Sequence, residues 1–237
     1  MANPLLTFKL TIALARLVKN PSRLEVVFDL TDALLQDPEA NATFEATLTI
    51  PEVARACRER RRLPVLDLAT LDTAKPGTLA RVAADFFRKN DLDPGALPRN
   101  EPKSDSEWLA THLYETHDLW HVVTGFQPNV AGELGLQAFY ATQMSGLLPL
   151  AILSAGMVNT LFFAPDLGIE RLAAITHGFR MGEAARQVGG GLVGRDWSQL
   201  LDRPIDEVRR TLGIQMNFEQ ATSPTALRAT DRALEAA

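Results

Sequence analysis

A single cysteine, Cys57, in 237 residues excludes any intrachain disulfide, so the fold rests on its core and a reducing compartment is permitted. Positive charge is not in excess. The net charge of -5 removes the long-range attraction that a nucleic-acid partner requires, and none is expected. Strand-like alternation is scarce: Thr47-Leu48-Thr49-Ile50 alternates but is too short to found a sheet. No Gly-x-Gly-x-x-Gly follows a strand, and Gly189-Gly190-Gly191 comes after a helical stretch and reads as its stop, so no redox-cofactor motif is visible. Repeats and low-complexity segments are missing too. From Leu134 to Pro165 there is no charged residue at all.

What is present is helical. With 46% hydrophobic residues the chain can bury a large core, and helical spacing or start signals mark Met1–Asn20, Ser22–Gln36, Pro51–Arg62, Thr78–Asn90, Ser106–Thr124, Val130–Phe163, Ile169–Val188 and Ile205–Leu212. The expected architecture is an all-α, mostly helical single-domain bundle over residues 1–217. Residues 218–237 read as a tail, a short helix or disordered. The first helix is amphipathic, with Lys9 among its apolar residues and neither a small-residue cleavage site nor the Arg and Ser of a transit peptide. This predicts a cytoplasmic protein, peripheral on the inner face of the membrane at most.

The densest chemistry is His117-Asp118-Leu119-Trp120-His121, followed after eleven residues by Glu133. On a helix His117 and His121 stand one turn apart, with Asp118 about 100° round from His117. Gly125-Phe126-Gln127-Pro128-Asn129 then stops one helix and caps the next, putting Glu133 in a first turn that faces back toward the histidines. The spacing predicts a divalent metal between two antiparallel helices, held by His117, Asp118, His121 and Glu133. Zinc comes first for such donors, with iron, manganese and magnesium as alternatives. In a zinc-protease helix a catalytic Glu follows the first His; here the shorter Asp118 stands there, which argues against a protease. The plain alternative is two histidines on an ordinary surface or core face. His112, five residues before His117, points some 140° away and reads as solvated or structural, and His177 stands apart. Tyr114, Gln137 and Tyr140 share faces with His117 or Glu133 and are candidates to orient a ligand or substrate.

His-Asp-x-x-His, eleven residues and Glu resembles the signature of the ubiquinone (coenzyme Q) biosynthesis family of the Coq-four type. The likeness extends upstream through Leu71 to Phe87, with Pro76-Gly77-Thr78-Leu79 and Asp85-Phe86-Phe87. Downstream it includes Trp197-Ser198-Gln199-Leu200-Leu201 and the segment from Pro204 to Ile214. Ala80, where Gly is usual, and Ala83, near a position often held by Tyr, mark a divergent, bacterial-type member. The resemblance implies a metal-dependent protein of prenylquinone synthesis that removes the carboxyl of a polyprenylated aromatic ring with hydroxylation at that carbon. It equally implies an alternative, a non-catalytic prenyl-lipid-binding scaffold for quinone-biosynthesis enzymes, and a homodimer is compatible with either.

Two further surfaces follow from composition. The uncharged run, with Leu147, Leu150, Leu153, Met157 and Leu161, is either a buried core or the lining for a prenyl tail, and Pro149, Gly146, Gly156 and Asn159 argue against a membrane span. Arg58, Arg60, Arg61 and Arg62 form the densest positive run and are candidates for anionic headgroups at a membrane surface, unless they are an ordinary solvated helix end.

Overall fold

Local signals set the helix ends. In a computed structural model that describes residues 4–21, 23–96, 99–189 and 191–216, the helices in chain order are α1 (Pro4–Lys19), α2 (Leu24–Gln36), α3 (Pro38–Glu45), α4 (Pro51–Arg58), α5 (Leu68–Asp72), α6 (Leu79–Lys89), α7 (Asp105–Thr124), α8 (Val130–Gln143), α9 (Leu148–Phe163), α10 (Gly168–Gln187) and α11 (Ile205–Leu212). Ser104, Thr78, Asp37 and Asn129 each cap a helix by accepting a backbone N–H three residues on. Gly125 and Gly213 end α7 and α11 in the left-handed region, at φ 80° and 69°. The described residues hold no strand; Thr47 belongs to a single 3-10 turn, Ala46–Thr49. The expected tail over 218–237 lies outside the described residues.

Two expected helices are cut short. The helix from Pro51 ends at Arg58 because Arg60 turns left-handed at φ 48°, which sends Arg61 and Arg62 back across the body of the protein. The long helix from Val130 breaks after Gln143: Thr47 donates its hydroxyl to the Ser145 carbonyl and accepts from the Ser145 N–H, and Pro149 then starts α9. Helices α3 and α5 carry too few apolar positions to show a face in the sequence.

The main core gathers around three fully buried indoles, Trp108, Trp120 and Trp197, with Phe87 and Phe139. A smaller cluster joins α1, α2 and α9 through Leu17, Val26, Leu30 and Ala155. Helices α8 and α10 approach until their backbones touch. A Cβ on Gly178 would sit 1.8 Å from the Gly135 carbonyl oxygen, and one on Gly182 would sit 1.9 Å from the Thr142 hydroxyl. Only glycine permits that approach, and it fixes the position of α8, which carries Glu133.

Helix α9 is turned against expectation. It buries Ala155, Gly156, Asn159 and Thr160, whereas Leu150 is 54%, Leu161 69%, Phe162 70% and Phe163 63% exposed. Gly156 allows this, because Leu134 of α8 packs where its Cβ would be. The reading of the uncharged run as buried core therefore holds for only part of α9: Leu148 and Ile152 pack against the α1–α2 cluster, whereas Leu150, Leu161, Phe162 and Phe163 face out. Among the described residues no helix is long and apolar enough to cross a membrane.

Candidate metal centre

Three donors converge at the α7–α8 corner. The Gly125–Asn129 turn folds tightly over the start of α8: a Cβ on Gly132 would strike the Gln127 carbonyl, and the Phe126 ring occupies the space above Gly135. This brings Glu133 back over the last turns of α7. His117 Nε2 and His121 Nε2 lie 3.2 Å apart, Glu133 Oε1 is 3.1 Å from His121 Nε2, and Glu133 Oε2 is 3.5 Å from His117 Nε2. Arg209 of α11 clamps the end of α7 by donating to the Val122 and Val123 carbonyls, which that helix end leaves without intrahelical partners.

The hydrogen bonds behind the imidazoles decide which way their lone pairs point. His121 Nδ1 lies 3.0 Å from the Phe126 carbonyl oxygen, which can only accept, so Nδ1 carries the proton and the neutral ring offers its Nε2 lone pair to the cluster. His117 Nδ1 lies 3.2 Å from the Tyr140 hydroxyl, and the tautomer that donates there frees its Nε2 likewise. Two lone pairs and a carboxylate then face one another, an arrangement that repels unless a proton or a metal ion lies between them. Donors held about 2.1 Å from one zinc-like ion at tetrahedral angles stand about 3.4 Å apart, which matches the separations here. The donor set therefore fits a divalent metal.

Electrostatics favour a cation at the same point. Burial works against the charged form of His117, but the Glu133 hydrogen bond and the charges of Glu133 and Asp118 outweigh it and raise its pKa. Burial would raise Glu133, yet the two histidines hold it well below the ordinary carboxylate range. Tyr140 is pushed far up by burial and by the charges of Glu133 and Asp118, so it stays a neutral phenol; its ring stacks on Trp120 at 4.1 Å. The His121 side chain is sealed at 1% exposure, with Phe86 stacked beside it, whereas His117 at 24% and Glu133 at 35% are open. A ligand would approach from the His117 and Glu133 side.

The remaining candidates are distributed unevenly. Asp118 adds charge but contributes no atom to the group of donors within 4.8 Å of one another, which consists of His117, His121 and Glu133. One residue of rotation separates it from His117, too much for the turn to bring both side chains onto one point. Gln137 is buried one turn beyond Glu133. Tyr114 turns toward α2, its ring edge-on to Phe28 at 4.8 Å. His112 is structural and not solvated, and His177 packs against the Phe126 ring. The Phe126 carbonyl and the Phe86 ring were missed because a backbone oxygen and a distant aromatic leave no mark in a ligand motif.

The other two predicted surfaces look different in three dimensions. Leu147, Leu150 and Leu161 are exposed and Leu153 and Met157 half-buried, so a lipid along them would lie on an open face. Most of the arginine run is engaged: Arg60 pairs with Asp105, Arg61 with Glu52, Glu59 and the Gly194 carbonyl, and Arg62 with the buried Glu115, leaving Arg58 exposed.

Comparison with known proteins adds a family. A family model described as coenzyme Q (ubiquinone) biosynthesis protein Coq4 matches residues 10–217. Ubiquinone biosynthesis protein COQ4 homolog, mitochondrial, of Danio rerio is 30% identical over 195 residues, covering 81% of this chain and 65% of the fish protein. Its counterpart in Aspergillus fumigatus is 28% identical over 204 residues, covering 83% of this chain and 68% of the fungal one. The chain thus spans about two thirds of the length of these relatives. A crystal structure from Nostoc punctiforme, of a protein given a ubiquinone-biosynthesis description, superposes with a TM-score of 0.76 at 30% identity, covering 87% of this chain and 97% of that one.

Proposed function

The chain belongs to the coenzyme Q (ubiquinone) biosynthesis protein family Coq4, and from that premise we propose that it is a metal-dependent enzyme acting on a polyprenylated hydroxybenzoate. The reaction proposed is loss of the ring carboxyl as carbon dioxide with hydroxylation at the same carbon, the oxygen atom coming from dioxygen and an external two-electron donor reducing the other to water. The observation that carries this reading is the convergence of His117, His121 and Glu133 on one point, with the Nε2 lone pair of His121 forced inward by the Phe126 carbonyl. Two imidazoles and one carboxylate suit zinc or iron(II), and of these only iron changes oxidation state in an oxygenase. Bound there, the metal would supply an electrophilic centre for the substrate's carboxylate or phenolate.

The protein's own groups would do the positioning. Glu133 lies in the first turn of α8, where the helix dipole supports its charge, and spans both histidines. Tyr140, held neutral, orients the His117 ring and does not act as a base. The half-open flank beside His117 and Glu133 admits the aromatic head, and burial of the tail would add about 0.8 kcal/mol for each methylene covered. The test is turnover of a prenylated 4-hydroxybenzoate by protein loaded with iron(II) or zinc, followed by mass spectrometry. The expected product has lost the carboxyl and gained a hydroxyl, and Glu133→Gln forms none. Metal-dependent retention of the lipid with no product under either metal would overturn catalysis in favour of the prenyl-lipid-binding scaffold.

A further inference from the structure

We propose that α1 and α9 together form a docking surface for an anionic lipid bilayer, with Leu161, Phe162 and Phe163 entering the acyl region and Lys9, Arg16 and Lys19 meeting headgroup phosphates. The first observation is the exposed apolar end of α9. A helix normally buries its large apolar side chains, and Leu148 and Ile152 do pack inward, yet Leu150, Leu161, Phe162 and Phe163 face outward. Successive residues on a helix project about 100° apart, so three exposed in a row, at 69%, 70% and 63%, fan around the helix end. A rigid protein groove receives a stripe, whereas fluid acyl chains accept a fan. At about 1.5 Å per residue α9 is about 24 Å long. It is too short to span a hydrocarbon core of about 30 Å and suits a helix lying in the interface.

Charge supplies the second observation. Helix α1 lies along α9, tied by the Asn159 side-chain amide donating to the Val18 carbonyl at 2.7 Å. Its exposed face carries Phe8 and Ile12 beside Lys9, Arg16 and Lys19. Residues 1–24 contain no Asp or Glu and residues 134–165 no charge of either sign, so this layer is positive in a molecule of net charge -5. Arg16 has an exposed Asp29 at 3.9 Å, a pair too loose and too wet to cancel it. Beneath the layer, Arg171 is 5% exposed and donates to Asn159 and Thr160; among the described residues it has no carboxylate partner. A second copy is the weaker occupant. A two-fold contact through this face would bring two positively charged layers together. Of the arginine run, Arg60, Arg61 and Arg62 are tied to carboxylates, which leaves Arg58 as a single exposed cation away from this layer's apolar residues.

The test is co-sedimentation of the full chain with vesicles of phosphatidylcholine, alone or mixed with phosphatidylglycerol, at low and high salt. Wild type is expected to bind the mixed vesicles. Both Phe162→Ser with Phe163→Ser and Lys9→Glu with Lys19→Glu should weaken that binding at least about tenfold, and salt should weaken the wild type. Arg58→Glu should leave it unchanged. All these positions are exposed, so thermal melts should match the wild type. Binding by the phenylalanine variant equal to wild type, or no vesicle binding by the wild type, would overturn the proposal. A wild-type dimer in sedimentation equilibrium that the phenylalanine variant converts to monomer, with no vesicle binding, would overturn it by giving the face to a second copy. No metal takes part, so the result stands apart from the reading of the metal centre.

Discussion

His112 is sealed in the core, stacked on Trp108 at 5.2 Å, with its Nε2 accepting from the Gly194 N–H at 3.0 Å. Burial, helped by the nearby charge of Arg61, pushes its pKa from an ordinary 6.5 down to about 4. Between those values the unfolded chain binds a proton that the folded chain refuses. Stability is therefore complete above the unfolded value and falls as pH drops below it, by about 1 kcal/mol at pH 5.5 and about 3 kcal/mol near pH 4. His117, whose folded pKa is raised, works the other way in metal-free protein: its contribution is present below 6.5 and lost as pH rises through the folded value. Urea unfolding at pH 7.5 and 5.5 in the presence of a chelator should show His112→Asn, which keeps an acceptor but cannot titrate, losing less stability on acidification than wild type. An equal loss would contradict this account of His112. At this scale the sequence made His117, His121 and Glu133 recognisable through their spacing. It could not rank Asp118, because adjacency on a helix separates side chains by an angle that only the packed turn converts into a distance. The same spacing placed Tyr114 and Tyr140 alike, and only the contacts with Phe28 and His117 distinguish them.

Helices are held in register here by what their glycines leave out. Gly178→Ala would put a methyl group into the Gly135 carbonyl, forcing α10 and α8 apart, with an expected loss of about 1–3 kcal/mol or more. Because Glu133 rides on α8, metal affinity should fall in the same variant. Gly168→Ala, whose new Cβ would meet only the Thr160 methyl at 3.7 Å, should stay within about 0.5 kcal/mol of wild type. Paired thermal melts and metal titrations check both; a Gly178→Ala protein as stable as Gly168→Ala would show that the α8–α10 contact yields freely. The turn between α7 and α8 was legible, since Gly125 stops one helix and Asn129 caps the next, whereas the cap of α7 is Ser104, two residues before the start read from the sequence. The orientation of α9 was not, because a helix apolar on all sides shows no periodic face and its small residues decide the packing. The fate of the arginine run was hidden for another reason: Glu115 and Asp105 meet Arg62 and Arg60 only after the chain has turned at Arg60.

At the scale of the whole molecule, one helical bundle carries a half-open donor triad at the α7–α8 corner and an apolar, positive layer on α1 and α9. The triad is the part on which the proposed chemistry depends. Elemental analysis of protein purified without added metal tests it most directly. About one divalent ion per chain is expected in the wild type, in His177→Ala and in Asp118→Asn. His121→Gln and Glu133→Gln should lose it while keeping their helical circular dichroism. Full occupancy in both of these variants would contradict a metal centre built from His117, His121 and Glu133.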